Sequence, residues 1–190
     1  KFGKLKPAFR KPNGTITAAT SSALTDGASA VLVMSEEKAK ALGYPTDVSL
    51  KSWHFSAIDP YPQLLLAPVL AWPEVLRKAG ITADEIDLFE IHEAFAAQVL
   101  ATIRALESPE FAKKYLNSDK AVLEKKLDMA KLNVNGSSLA LGHPFAATGG
   151  RMVTSLTNEL RRTGKRHGLI SICAAGGIGG VAILEHTPKK

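Results

Sequence analysis

Three short stretches combine a reactive side chain with small or turn-forming neighbours: His92-Glu93-Ala94-Phe95, Gly142-His143-Pro144 and Cys173-Ala174-Ala175-Gly176-Gly177. A histidine exchanges protons near neutral pH and donates a hydrogen bond when neutral. His143 lies between a glycine and a proline, which fix a tight turn and can hold its ring as a general base. A thiol at a strand end, followed by glycines with open backbone N–H groups, can be an acid, a base or a nucleophile beside an oxyanion hole. Singly, each has a plainer reading: a satisfied junction histidine, a turn histidine, a small buried hydrophobe. Together they read differently, because cysteine and histidine are the pair that thiol chemistry on acyl groups needs.

Strands and helices must position these groups. Residues 28–34 are nearly all apolar and predict a buried strand. Ser35 caps a helix with Glu36 and Glu37 in its first turn and Gly43 at its end. Residues 48–55 alternate polar and apolar and predict a strand; 59–62 read as loop. Residues 69–79 predict a helix closed by Gly80, where Pro73 needs a first-turn position or a kink. Thr82 and Glu85 form a capping-box pattern. Residues 86–91 predict a strand and 94–106 a buried helix. Residues 108–127 predict a charged, helical surface excursion. Residues 148–162 predict an amphipathic helix closed by Gly164, and 168–173 and 181–185 the last two strands. The order predicts an α/β protein with a mixed five-stranded sheet and layered helices. Each reactive segment follows a strand or a glycine-bounded turn, so all three can meet at one sheet edge.

Composition narrows the classes. The 190 residues are 45% hydrophobic and 22% charged, which argues against wholesale disorder. No apolar run approaches the ~20 residues of a membrane-spanning helix. The basic start leads into no apolar stretch, so it predicts no secretory signal. One cysteine, Cys173, excludes an internal disulfide and a multi-cysteine zinc site, and fits a reducing compartment. The net charge of +6 is scattered, with clusters at 1–11, 161–166 and Lys189-Lys190. No aromatics interleave with them, so they read as a solvated basic surface and not a nucleic-acid interface. An anionic ligand such as a nucleotide-bearing thioester fits the same charge.

The small-residue run 14–28 followed in order by the three reactive segments resembles the C-terminal half of a thiolase, over essentially the whole chain. Within that family it most resembles the 3-ketoacyl-CoA thiolases of fatty-acid β-oxidation that pair with a multifunctional α subunit, the trifunctional-protein β type. His92 stands where most thiolases carry Asn, and Ala175 where most carry Gly. Residues 107–132 form an insertion relative to shorter thiolases, and the run from His143 to Gly149 has that subgroup's look.

The resemblance implies a thiolase C-terminal domain over 1–190, with 1–20 as the end of a preceding loop domain. It implies cleavage of 3-ketoacyl-CoA by CoA to acetyl-CoA and a shortened acyl-CoA. His143 would activate a nucleophilic cysteine in the N-terminal half. Cys173 would protonate the departing enolate and deprotonate the incoming CoA. His92 and His143 would hold the first oxyanion, and the Ala175 N–H would help hold the second. Ser22 would contact the pantetheine arm, and Ala94 and Phe95 would line the acyl tunnel. Thr20 stands where the family usually has Asn. No metal or organic cofactor is implied, and CoA is a substrate. The implied partners are acyl-CoA and CoA, the N-terminal half, a second copy in a homodimer and a multifunctional α subunit. The implied setting is bacterial cytoplasm or mitochondrial matrix. The nucleophilic cysteine has no counterpart in these residues, so the chain alone is expected not to run the reaction. Helix 94–106 is expected to leave an apolar face for a partner.

Two other readings remain open at this point. One is a non-catalytic, partner-binding module, with the insertion around Phe111–Leu127 as a docking or membrane-surface element. The other is a ketoacyl synthase, against which a cysteine beside a glycine-rich turn near the C-terminus argues. The reactive triplet favours the enzyme, because a docking module needs none of it.

Overall fold

A computed structural model of the chain describes residues 2–188; Lys1 and the basic pair Lys189-Lys190 lie outside the described residues. In chain order the elements are α1 (Glu36–Ala41), β1 (Val48–Ala57), α2 (Pro60–Gln63), α3 (Ala67–Ala79), β2 (Leu88–Ile91), α4 (Ala96–Leu106), α5 (Pro109–Phe111), α6 (Ser138–Leu141), α7 (Ala146–Thr163), β3 (His167–Ala174) and β4 (Ile178–His186). The sheet is mixed, in the order β1-β4-β3-β2. β4 pairs antiparallel with β1 and β3, and β2 pairs parallel with β3.

Two-residue periodicity sorts the core onto two faces. On β3 and β4, Leu169, Val181 and Ile183 join Trp72, Val75, Ile103 and Leu106 on the side of α3 and α4. Ile170 and Leu184 join Met152, Leu156 and Leu160 of α7 on the other side. Those three α7 residues are spaced by four, the interval that keeps one helix face turned inward. Trp72 stacks on Phe89 with ring centres 5.7 Å apart, and its indole N–H donates to Ser171 Oγ at 3.2 Å. Ser35 caps α1 by accepting from the Lys38 N–H, and Gly80 closes α3 in the left-handed region. Pro73 sits inside α3, on its solvent side.

Several expectations need correction. The sheet has four strands among the described residues, not five, because 28–34 form no strand. Apolar composition alone does not make a strand; it needs an edge to pair with. Here Leu32 and Val33 are 70% and 74% exposed. The free edge of β2 is instead met by residues 132–133. Leu132 bridges Phe89, and the Asn133 N–H donates to the Phe89 carbonyl at 2.8 Å. The stretch expected as loop at 59–62 includes the short α2, capped by Asp59, whose side chain accepts from the Tyr61 N–H. Residues 108–127 are not one helix. They form α5, a π turn at Ala112–Leu116 and irregular chain. Ala112, Leu123 and Leu127 are buried, so the segment is pinned to the core and offers no continuous amphipathic helix for a membrane surface. Helix α4 buries Val99, Ile103 and Leu106 and leaves Ala97, Leu100 and Ala101 exposed. Other large apolar side chains are exposed elsewhere, Leu32, Val33, Trp53 and Phe55 among them.

Candidate active site

The parallel pair β2–β3 carries two reactive segments out of the same end of the sheet. The His92 N–H, one residue past β2, donates to the Ser171 carbonyl at 2.9 Å. Cys173 lies two residues further along β3. The carboxyl ends of parallel strands are where α/β proteins build sites.

The third segment arrives from the other side. His143 follows Gly142, whose φ is +92°. A Cβ there would also meet Thr25 Cγ2 at 2.5 Å, so both conformation and space demand glycine. Residues 21–25 then stitch the two histidine loops together. The Ser22 N–H donates to the Ala94 carbonyl at 3.0 Å, and the His143 N–H to the Ala23 carbonyl at 2.8 Å. Ser21 bridges Phe95, and Leu24 bridges His143. Thr20 secures the approach, its Oγ1 accepting from the Thr17 N–H at 2.9 Å.

The result is a pair of imidazoles with ring centres 4.3 Å apart and planes tilted by 47°. His143 Nδ1 is hydrogen-bonded to Thr148 Oγ1 at 2.8 Å, and His92 Nδ1 to Ser138 Oγ at 2.9 Å. Each ring therefore keeps Nε2 for something else. Burial, then the neighbouring His143 and Arg151, lower the His92 pKa to about 4. Burial and Arg151 also lower that of His143. Both rings are thus neutral at physiological pH, the form that can accept a proton or donate from one nitrogen. Burial pushes the Cys173 thiol up to about 11, so it holds its proton and suits an acid.

The sequence-predicted residues fall into two groups. His92, His143, Ser22, Ala94 and Phe95 are joined by the contacts above. Phe95 also receives Phe9 edge-on, ring centres 5.7 Å apart. Cys173 and Ala175 share the sheet end, but among the described residues no hydrogen bond joins either to a histidine. Ala175, Gly176 and Gly177 form the three-residue turn between β3 and β4.

Supporting residues to which the sequence reading assigned no role complete the site. Glu93 accepts from Asn133 Nδ2 at 2.7 Å and from the Leu139 N–H at 3.1 Å. Asn133 itself closes two bonds on the backbone of Ile91. Phe145 takes φ +43°, a costly conformation for an aromatic residue, and sets its ring 5.1 Å from His143. The proximity of 137–138 and 148 to His143 was the only signal in the sequence for Ser138 and Thr148. Nothing in the sequence marked Asn133 or Arg151.

A neutral histidine pair and a protonated strand-end thiol at the same end of the sheet, on an α/β scaffold, define a candidate acyl-transfer centre. The sequence profile described as "Thiolase, C-terminal domain" matches residues 44–186, and that described as "Thiolase, N-terminal domain" matches 1–37. The chain belongs to the thiolase family. It is 52% identical over 188 residues to the mitochondrial trifunctional enzyme subunit beta of Bos taurus, covering 99% of this chain and 39% of that protein. It is 51% identical over 184 residues to a 3-ketoacyl-CoA thiolase of Shewanella woodyi, covering 97% and 42%. The crystal structure of human mitochondrial 3-ketoacyl-CoA thiolase superposes with a TM-score of 0.83 at 35% identity, over 98% of this chain and 42% of that one. The acetyl-CoA acetyltransferase of Bacillus anthracis does so at 0.80 and 37%, over 97% and 42%. The chain spans about two fifths of the length of these relatives.

Proposed function

We propose that this chain supplies the C-terminal catalytic half of a 3-ketoacyl-CoA thiolase of fatty-acid β-oxidation. The observation that carries the reading is the neutral His92–His143 pair, stitched together by residues 21–25 at the end of β2. In the reaction, His143 takes the proton of a cysteine thiol in the N-terminal half, and the resulting thiolate attacks the 3-keto carbon. The C2–C3 bond breaks, leaving an acyl-cysteine and the enolate of acetyl-CoA. His92 and His143 hold the enolate's thioester oxygen, and Cys173 gives the enolate carbon its proton. The Cys173 thiolate then removes the proton of the incoming CoA thiol. The CoA sulfur attacks the acyl-cysteine, with the Ala175 N–H helping to hold the tetrahedral oxyanion; the bond to the cysteine sulfur then breaks, releasing the shortened acyl-CoA, and His143 returns its proton to the cysteine. Ser22, Ala94 and Phe95 contact the pantetheine and acyl arms. The chemistry needs no metal or organic cofactor, since CoA enters as a substrate.

The natural partners are the N-terminal half, a second copy in a homodimer and a multifunctional α subunit. The exposed Leu32, Val33, Trp53 and Phe55 support the first of these, because each is a large apolar side chain more than half exposed that a partner can cover. Among the described residues no helix is long and apolar enough to cross a membrane. The relatives' bacterial and mitochondrial sources support the bacterial cytoplasm or the mitochondrial matrix as its place. The partner-binding module is the weaker reading, because it leaves the histidine pair without a purpose.

The test is thiolysis of 3-ketoacyl-CoA, read as acetyl-CoA formed, by this chain joined to its N-terminal half and by the chain alone. The joined protein turns over and the lone chain does not. Cys173→Ser and His143→Ala each cost about 10²–10⁴-fold in kcat. Near-normal turnover in either variant removes the assigned role.

A further inference from the structure

Behind His92 lies a buried polar chain that the reaction scheme does not use. Ser138 is fully buried, and its Oγ has two neighbours: His92 Nδ1 at 2.9 Å and Arg151 Nη2 at 3.1 Å. An arginine can only donate, so Ser138 Oγ accepts from Arg151. The serine then has one proton to place, and His92 Nδ1 is the one acceptor within reach among the described residues. The opposite arrangement, with Nδ1–H donating to Ser138, gives that oxygen two donors and buries a hydroxyl proton with no acceptor. Such an orphan costs about 1–3 kcal/mol. The hydrogen bond from Ser138 therefore sets the proton of the neutral imidazole on Nε2, the nitrogen with no partner among the described residues.

We propose that Ser138 and Arg151 are positioning residues that lock His92 as the Nε2–H tautomer, so that His92 serves the site as a hydrogen-bond donor and never as its base. Two features support an arginine in this place. A second proton on His92 would sit on Nδ1 and face a serine oxygen already engaged by a cation. The Arg151 charge also opposes an imidazolium directly, together with burial and His143. The groups that face His92 are His143 from the turn before α7, Arg151 from α7 and Ser138 from α6. Glu90 stands two residues back on β2, buried, with Oε2 unpartnered, and it too is influenced by Arg151. The arrangement divides labour between two histidines: His92 donates, and His143, held through Nδ1 by Thr148, is left to move the proton. What His92 donates to rests on the thiolase reading; the tautomer does not.

The test uses the complete enzyme with ¹⁵N-labelled histidine. In the parent protein, His92 shows a bare Nδ1 and a protonated Nε2, and keeps that signature on acidification until the pH nears 4. A protonated Nδ1 at neutral pH overturns the proposal. Ser138→Ala gives a mixture of tautomers and lowers kcat about tenfold with little change in KM, the rate expected for one lost neutral hydrogen bond. Ser138→Thr, which keeps the hydroxyl, restores both readouts. Arg151→Gln raises the pH at which His92 takes its second proton. A Ser138→Ala enzyme with the parent tautomer and parent kcat, or an Arg151→Gln enzyme with an unmoved titration, overturns it. If the complete parent enzyme shows no thiolysis, the proposed function fails while the nitrogen spectrum still decides the tautomer.

Discussion

Replacing Glu93 by glutamine changes one atom and probes the loops that hold both histidines. The two carboxylate oxygens accept from different donors, Asn133 Nδ2 and the Leu139 N–H. The Asn133 amide cannot turn over to help. Its Oδ1 accepts from the Ile91 N–H at 2.8 Å, and its Nδ2 donates to the Ile91 carbonyl at 3.0 Å, so the backbone dictates its orientation. The substituted glutamine has a single acceptor oxygen, and in either orientation its NH₂ faces another N–H. The loss is one hydrogen bond to a charged group, about 1.5–3 kcal/mol, plus a donor left unsatisfied at about 1–3 kcal/mol. Both bonds are only part-buried, so the loss falls in the lower part of the summed range, about 3 kcal/mol. With a urea dependence of ~2 kcal/mol/M, the unfolding midpoint falls by about 1.5 M. The assay is urea unfolding followed through emission of the fully buried Trp72. A second variant makes the argument specific. In Glu93→Gln/Asn133→Asp, the glutamine NH₂ regains an acceptor at position 133, while the Ile91 carbonyl still loses its donor. The double variant is therefore less destabilised than the sum of the singles, by about 1–2 kcal/mol. A Glu93→Gln midpoint within about 0.2 M of the parent, well inside the range that surface changes produce, refutes the reasoning.

Gly142→Ala combines a left-handed backbone with a clash against Thr25, and should lower stability by about 1–3 kcal/mol, read as a lower melting temperature. Adding Thr25→Ala recovers only the steric share; full recovery would mean the backbone conformation carries no cost. Glu90 and His92 give opposite pH slopes. Burial raises the Glu90 pKa to about 7, so its folded form keeps a proton that the unfolded chain has released, and stability falls as pH rises from about 4.5 to 7. His92 is held neutral down to about 4 while the unfolded chain protonates near 6.5, so stability falls as pH drops through that range. In the parent the two slopes largely cancel between about pH 5 and 6.5. Glu90→Gln exposes the acid-side loss, and urea midpoints measured across that window that stay level in this variant contradict the assignment.

Much of the scaffold was legible because its signals are local. Ser35, Gly80, the Thr82–Glu85 box and Gly164 mark ends that depend on a few neighbouring atoms, and α3, α4 and α7 appear near their predicted places. The strands now paired as β1 to β4 were readable from alternation or from short apolar runs. The three reactive segments were legible too, because reactive side chains beside glycines and prolines are rare enough to stand out.

Tertiary structure decided the rest, and in each case the cause is a partner distant in the chain. Whether 28–34 becomes a strand depends on an edge to pair with, and its own residues cannot supply one. Residues 108–127 look solvated because eight of the twenty are charged. Leu123 and Leu127 are nonetheless drawn inward, because the Leu106 carbonyl and the Glu107 carboxylate take the backbone N–H groups of those same two residues. The protonation of the site is the clearest case. Sequence determined that two histidines and a thiol were present. Only the fold sets Ser138 and Arg151 behind one ring and Thr148 behind the other, and buries the thiol. Charge and hydrogen bonding act through a few ångströms of space, and that space is filled by residues 46 positions from His92 in the case of Ser138.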